Sequence, residues 1–282
     1  MASSKEIKRR IRSVTNTKQI ISAMEMVSVV KMQKSVARNL ASRDFSAASA
    51  EMLAEICKGI NPESHPLLKQ KVGVRKLVVV ITSDRGLCGA LNLRALKLAL
   101  AEVESGETDF IAIGKKSRDF LGNHGFNIVA SYTGFGDYLE FKVIIPIIRQ
   151  ITNEYLADRY NQVNVVYTHF ESGLTQTPKA LQLLPFLIDF GCTADDNLTF
   201  EPSKAEILSS LIPRILETNM WQYILESAAS EHSARMVAMK NADENAEDLI
   251  TDLTLSFNQT RQAGITREIA EISAGKMTLE AN

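Results

Sequence analysis

The fold is decided by residues 214–263, which read RILETNMWQYILESAASEHSARMVAMKNADENAEDLITDLTLSFNQTRQA and contain neither glycine nor proline. Glycine costs about 1 kcal/mol and proline about 3 in a helix interior, so a long stretch without either favours one long helix. At 1.5 Å per residue such a helix would extend on the order of 75 Å, far more than a compact domain requires. Apolar and small residues recur in it at three- and four-residue steps, which is typical of a helix packed along a partner.

The N-terminal segment has the same character. Residues 1–58 also contain neither glycine nor proline. Residues 1–43 carry ten Lys/Arg against two Glu, whereas residues 214–282 carry six Lys/Arg against eleven Asp/Glu. Opposite charges favour pairing of the two helices with each other. We therefore predict an antiparallel pair of long terminal helices, with two ordinary helices of a bundle as the alternative.

The middle of the chain alternates strands with helices. All seven prolines and 12 of the 14 glycines lie between Gly59 and Pro213. Predicted strands cover Lys76–Thr82, Asp109–Ile113, Phe126–Ala130 and Val163–Phe170, with Gln182–Ile188 as a possible fifth. Predicted helices lie near Ala90–Val103, Lys115–Leu121 and Tyr138–Leu156. This alternation indicates an α/β domain with a largely parallel sheet.

The predicted organisation has three parts. A coiled-coil helix occupies residues 1–58, a globular α/β domain residues 70–200, and a second coiled-coil helix residues 205–282. The composition, with 45% hydrophobic and 23% charged residues and a net charge of −1, is ordinary for a globular protein. The longest apolar runs fall far short of the ~20 residues that a membrane helix needs, so we expect membrane association only through a partner.

Candidate chemical motifs do not form a predicted active site. Gly86-Leu87-Cys88-Gly89 follows a strand, but the chain has neither a GxGxxG nor a GxxxxGK[ST] motif, so these glycines are interpreted as a tight turn. Cys88 lies beside Arg85, yet a packed thiol is the simpler interpretation. The four histidines are scattered, without an HExxH motif. No catalytic, cofactor-binding or metal-binding residue is predicted.

Several runs of residues, in order along nearly the whole chain, carry a family resemblance. They are KEIKRRIRSVTNTKQI with AMEMV (5–27), TSDRGLCGALN (82–92), QTPKALQLLPF (176–186), FEP with LIPRI (200–215), SEHSARMVAMKNADENA (230–246) and FNQTRQAGITREIAEISAG (257–275). On these runs the sequence resembles the gamma subunit of F-type ATP synthases. The resemblance implies an antiparallel coiled coil of the terminal helices plus an inserted Rossmann-like α/β domain.

The resemblance also implies a function. The chain would be the non-catalytic rotor shaft of a proton-translocating ATP synthase, placed inside a hexamer of three alpha and three beta subunits. Its globular part would contact the epsilon subunit and the ring of c subunits, at the cytoplasmic face of a bacterial membrane. No cofactor is implied, because the catalytic residues would belong to beta. Lys276 departs from the small apolar residues that the family usually has near its C-terminal tip.

Five residues match positions through which the family's shaft contacts its partners. Arg261 and Gln262 resemble the residues gripped by a loop of beta. Met24 and nearby Lys31 resemble the shaft face near the moving part of beta, and Arg235 matches the position facing Met24.

Two alternatives from other classes stay open at this point. One is a small α/β enzyme with helical oligomerisation arms. The other is a nucleic-acid-binding protein that uses the basic N-terminal helix. That helix carries no aromatic residue before Phe45, which favours a partner-facing or solvated surface over a nucleic-acid interface.

Overall fold

The structure is a computed structural model that describes residues 4–57, 65–103, 107–134, 140–186 and 203–280. The helices are α1 (Ser4–Cys57), α2 (Leu91–Ala101), α3 (Lys115–Asn123), α4 (Ile144–Leu156, after a 3₁₀ turn at Phe141–Val143) and α5 (Lys204–Glu280). The strands are β1 (Lys76–Ile81), β2 (Thr108–Ile113), β3 (Ile128–Tyr132), β4 (Gln162–Phe170) and β5 (Gln176–Leu184).

The two long helices extend through most of the glycine- and proline-free segments and, in one case, beyond them. α1 has 54 residues and α5 has 77. α5 starts before Pro213 and continues past Gly264, although neither residue favours a helix interior. Before the proline, Ser209 and Ser210 turn their hydroxyls back onto the carbonyls of Glu206 and Ile207, at 2.8 and 2.9 Å. Pro213 and Gly264 both lie inside α5, which continues without a break from Lys204 to Glu280.

The chain divides into two compact units, one of which contains residues 1–27 and 236–282. Within this unit, which we call the shaft unit, Lys18 forms an ion pair with Glu247 and Ser22 forms a hydrogen bond with Asp243. The step from Lys18 to Ser22 along α1 is thus matched by the step from Glu247 back to Asp243 along α5. The helices are antiparallel, as predicted.

The second unit, residues 28–235, contains the sheet, and we call it the α/β unit. Its strand order is β3-β2-β1-β4-β5, in which every neighbouring pair is parallel except β4 and β5. β1 lies in the middle, with Leu77, Val78, Val79 and Val80 fully buried. A near-continuous apolar strand is what a parallel sheet covered on both faces requires. The predicted α/β class with a largely parallel sheet is confirmed.

The core of this unit has two parts, one on each face of the sheet. On one face α4 and the N-terminal part of α5, from Leu208 to Ile224, pack with Leu53 and Ile56 of α1. On the other face α2 and α3 pack over Val78, Val80 and Phe110. Residues 28–235 therefore form a three-layer domain that includes parts of both long helices.

The predicted fifth strand was wrong in its position. We expected it over Gln182–Ile188, but β5 begins at Gln176, and residues 187–188 lie outside the described part of the chain. Pro178 makes this segment look unlike a strand. It is tolerated because β5 is an edge strand, where one missing N–H does not break a ladder on both sides.

Two other boundaries differ by a few residues. β3 begins at Ile128 rather than at Phe126, because the Phe126 N–H donates to the Leu121 carbonyl of α3 at 3.1 Å rather than to β2. α4 begins at Ile144, whereas we expected a helix from Tyr138, a residue outside the described part of the chain. Pro146 falls in the first turn of α4, where its missing N–H would have no helical partner in any case.

Candidate functional site

The first candidate site is the crevice at the carboxyl ends of β1 and β4. From β1 the chain moves outward to β2 and β3, and then returns to place β4 on the other side of β1. In doubly wound folds this switch point is where ligands bind. The loop that follows β1, from Ser83 to Gly89, therefore lies where a nucleotide would be expected.

The hydrogen bonds of this loop are largely internal to the unit. Asn92 on α2 accepts from the Ser83 N–H at 3.0 Å and donates to Ser83 Oγ at 2.7 Å. Asp84 accepts from the N–H groups of Lys115 and Gly134, at 3.0 and 2.9 Å, and so joins the loops after β2 and β3. The predicted tight turn is confirmed at Gly89, where φ is +59°, and Leu87 shares this left-handed conformation at +64°.

Helix α5 fills most of the crevice. Ser227, Ala228 and Glu231 line it together with Ser83 and Asp84, and the space that remains is about 40 Å³. Pockets for small molecules typically measure about 300–1,000 Å³. The remaining space is enough for a water molecule or two but not for a nucleotide.

Arg235 fastens α5 to the loop. Its guanidinium donates to Glu231 Oε1 at 2.6 Å and to the carbonyls of Gly86 and Arg85, at 3.2 and 3.4 Å. Burial raises the pKa of the Glu231 carboxyl, while the charges of Arg235 and Lys31 act in the opposite direction. Arg235 itself is only 7% exposed, so its side chain serves the interior of this unit.

Cys88 is a buried thiol in this loop, as predicted. It is 2% exposed, and its sulfur accepts from Asn92 Nδ2 at 3.2 Å. Burial raises the pKa of the thiol, which lowers the thiolate fraction at neutral pH. The arrangement suits packing rather than nucleophilic chemistry.

Sequence reasoning missed a second polar cluster, where α5 meets the end of β4. His169 Nδ1 lies 2.5 Å from Glu226 Oε2, and the Thr168 N–H donates to Ser227 Oγ at 3.3 Å. Ser230 Oγ donates to the Thr168 carbonyl at 3.2 Å. The available signal was the run of polar residues on one side of α5 at four-residue spacing, which is unusual for a buried helix face.

The remaining residues implied by the resemblance lie on the two long helices. Met24, in the shaft unit, and Lys31, in the α/β unit, are half-buried. Arg261 and Gln262 are exposed, as is every described side chain of α5 from Arg261 to Ala274. The contacts predicted for these residues are with partner chains, so they stay predictions.

Two further findings bear on chemistry. Across the described parts of the chain, no three His, Cys, Asp or Glu side chains come close enough together to hold a metal ion. Within the same residues, none of the helices combines the length and the apolarity needed to cross a bilayer.

Comparison with known proteins places these features in a family. A family model described as ATP synthase matches residues 3–279. The ATP synthase gamma chain of Roseiflexus castenholzii is 41% identical, over 99% of both chains. That of Pelotomaculum thermopropionicum is 39% identical, over 99% of this chain and all of the relative.

Solved structures agree with the fold. The central stalk and c-ring structure of the Tetrahymena thermophila mitochondrial ATP synthase contains a chain of 26% identity and TM-score 0.61, which covers 79% of this chain and 99% of that one. A chain of the Euglena gracilis mitochondrial enzyme reaches TM-score 0.74 at 19% identity, covering 99% and 95%. The chain belongs to the family of ATP synthase gamma chains. Gamma is a non-catalytic subunit of the F1 sector of that membrane-associated complex.

Proposed function

We propose that this chain is the rotor of a proton-translocating F-type ATP synthase, turning inside a hexamer of three alpha and three beta subunits. The α/β unit would rest on the c-ring and the epsilon subunit, at the cytoplasmic face of a bacterial membrane. Proton flow would turn ring and shaft together. The asymmetric shaft would then bring each beta subunit in turn through states that bind ADP and phosphate, form ATP and release it.

One observation carries this proposal most directly. Every described side chain of α5 between Arg261 and Ala274 is exposed, including Ile265, Ile269 and Ile272, at 49, 59 and 75%. Most of the stability of a protein helix comes from packing of its apolar face, so such a segment needs a surrounding partner. A sleeve of other subunits supplies that contact without requiring a pocket in this chain.

Arg261 and Gln262 are the proposed grip for beta. Both are exposed, so an arginine fork and a neighbouring amide are available to a partner. Bidentate contacts between arginine and carboxylate are strong and directional. A grip at one angular position of the shaft would engage the three beta subunits at different times, which rotary coupling requires.

Met24 in the shaft unit, and Lys31 and Arg235 in the α/β unit, are the other proposed contacts with partner subunits. Because Arg235 is buried and bonded to the Arg85 and Gly86 carbonyls, we propose that it acts by holding this loop in place for a partner. Lys31 is half-buried on α1, and its charge reaches the Glu231 carboxyl. A displacement of Lys31 by a partner subunit would therefore change the electrostatic interaction with Glu231.

Affinity purification of the tagged chain from its own cells tests the assignment. We expect alpha, beta and epsilon subunits and the c-ring to be recovered with it, together with ATPase activity. Recovery of a single unrelated enzyme, or of nucleic acid without alpha and beta, would overturn the proposal.

The grip is tested in the reconstituted complex with the double variant Arg261→Ala/Gln262→Ala. We expect ATP hydrolysis and proton pumping to fall several-fold with normal subunit stoichiometry, because exposed polar truncations usually cost under about 0.5 kcal/mol of fold stability. Gln259→Ala/Arg267→Ala is a matched control, since it removes the same residue types from exposed positions of the same helix. Equal effects of the two double variants would show that the grip lies elsewhere.

A further inference from the structure

A buried chain of polar side chains joins α1, α5 and β4 within the α/β unit. Gln222 Nε2 on α5 donates to Asn39 Oδ1 on α1 at 2.6 Å and to Glu226 Oε1 at 3.2 Å. The other carboxylate oxygen of Glu226 lies 2.5 Å from His169 Nδ1 on β4. Asn39 is fully buried, and Gln222 and Glu226 are each 5% exposed.

The carboxylate of Glu226 sets the orientation of the two amides. Turning both amides by a half-turn would still let Asn39 donate to Gln222. It would also place Gln222 Oε1 beside Glu226 Oε1, where two acceptor oxygens would face each other without a donor. The contact to Glu226 therefore selects one arrangement, in which each side chain fixes the next.

These contacts leave two buried polar atoms unpaired. Asn39 Nδ2 and Gln222 Oε1 are buried and have no hydrogen-bond partner. An unpaired buried polar atom is unfavourable, and well-packed apolar residues of similar volume often do as well or better. The best-attested role of such buried polar groups is to fix the register of packed helices.

Turning α1 against α5, or α5 against β4, would break these contacts. Asn39 and Gln222 hold α1 to α5, and Glu226 with His169 holds α5 to β4. Ser227 and Ser230 add two hydrogen bonds from α5 to the Thr168 backbone. Apolar contacts alone slide more readily, because dispersion and burial have little directional preference.

We propose that Asn39, Gln222 and Glu226 are positioning residues for rotary coupling. They hold α1 to α5 and α5 to the sheet, so that when the α/β domain rotates the two helices rotate with it. The inference rests on the proposed rotor function and assigns to these residues a task within it.

The test uses the complete ATP synthase reconstituted in vesicles, with Asn39→Leu/Gln222→Leu in this chain. ATP hydrolysis and proton pumping are measured together, with subunit stoichiometry. We expect hydrolysis within two-fold of wild type and pumping per ATP at least three-fold lower. A role in fold stability alone would reduce the amount of assembled complex and leave pumping per ATP unchanged.

Gln162→Leu/Gln182→Leu is the matched control. Gln162 Nε2 donates to Gln182 Oε1 at 2.9 Å, but this half-buried amide pair joins β4 only to β5. We expect it to leave pumping per ATP unchanged. Asn39→Gln/Gln222→Asn exchanges the two amides and should restore at least half of the ratio that the leucine pair loses.

Each outcome decides the inference. A wild-type ratio in the leucine pair, an equal loss in the control, or no recovery in the exchanged pair would overturn it. If the leucine pair does not assemble, Glu226→Gln replaces it, and an unchanged ratio there overturns the inference equally. Failure of the wild-type complex to couple hydrolysis to pumping would instead count against the proposed function.

Discussion

Helix α5 passes through two regions that are stabilised in different ways. In the α/β unit its residues Ile212, Leu216 and Met220 are at most 1% exposed and belong to the core. In the shaft unit its last described residues are all exposed, and the ion pair from Lys18 to Glu247 lies at the surface. The first region is packed within its own chain, whereas residues 261–274 of the second expose their side chains, so other subunits would have to provide their packing.

The buried and exposed parts of α5 place different requirements on their polar side chains. A charged side chain in a buried segment needs partners of its own, and Arg235 finds them in a carboxylate and two carbonyls. An exposed segment has no such requirement, so single residues in it are free to serve contacts with partners. Identical substitutions in the two regions should therefore have very different effects.

The largest difference is expected for arginine. Arg235→Ala leaves Glu231 without its close ion-pair partner at 2.6 Å, and breaking a buried pair typically costs about 3–5 kcal/mol. Arg261→Ala removes an exposed side chain and should cost under about 0.5 kcal/mol. Chemical denaturation of the purified chain measures both, with fluorescence of Trp221, the single tryptophan, for the α/β unit and circular dichroism for the helices. Equal losses would remove the distinction between the regions.

Isoleucine gives the next comparison. Ile147 is fully buried between α4 and the sheet, and truncation to alanine should cost about 3 kcal/mol through lost burial and the cavity left behind. Ile269→Ala, at a position that is 59% exposed, should change the free energy of unfolding by less than about 0.5 kcal/mol. A large effect of Ile269→Ala on the isolated chain would mean that the shaft helix packs on its own chain in solution.

Replacing glycine by alanine should change the free energy of unfolding in opposite directions in the two regions. Gly114 has φ +98°, and a Cβ there would lie 2.2 Å from the Thr82 carbonyl oxygen, so Gly114→Ala should cost about 2 kcal/mol. Gly264 lies within α5 with open space around it, and Gly264→Ala should stabilise the helix by up to about 1 kcal/mol. Thermal melts followed by circular dichroism would show shifts in opposite directions. A shift in the same direction for both would contradict this account.

The smallest effect is a dependence on pH confined to the α/β unit. Burial raises the pKa of Glu231, so the folded chain binds this proton more tightly than the unfolded chain. Its contribution to stability is complete below the unfolded pKa of about 4.3 and is lost as the pH rises through the folded pKa. The stability of wild type relative to Glu231→Gln should therefore fall as the pH rises from 4, by less than about 1.4 kcal/mol per pH unit. A flat or rising difference in denaturation experiments between pH 4 and 7 would refute this.

Much of the fold follows from local rules in the sequence, because those rules act over a few residues. The segments without glycine or proline predicted α1 and α5, and the run LVVVI predicted the central strand. β5 was misplaced because Pro178 is acceptable at a sheet edge, and a linear sequence does not show which strand lies at the edge.

The site was predicted less completely, because its contacts join distant residues. Asn39 and Gln222 are separated by 183 positions, and Arg235 reaches Gly86 across 149. No periodicity or motif brings such residues together before the fold is known. Arg261 and Gln262 were identified only through the family resemblance, and their role stays a prediction.

The antiparallel pairing of α1 with α5 also determines the order in which the chain can fold during synthesis. Lys18 and its partner Glu247 are 229 positions apart, with the whole α/β unit between them. At about 5–20 residues per second, a ribosome needs on the order of ten seconds or more to produce the second helix after the first. Throughout that time the part of α1 that pairs with α5 lacks its partner helix. Residues 1–43 carry ten Lys/Arg against two Glu, and the repulsion between like chains would oppose aggregation of the nascent polypeptide before it has any role in a finished complex.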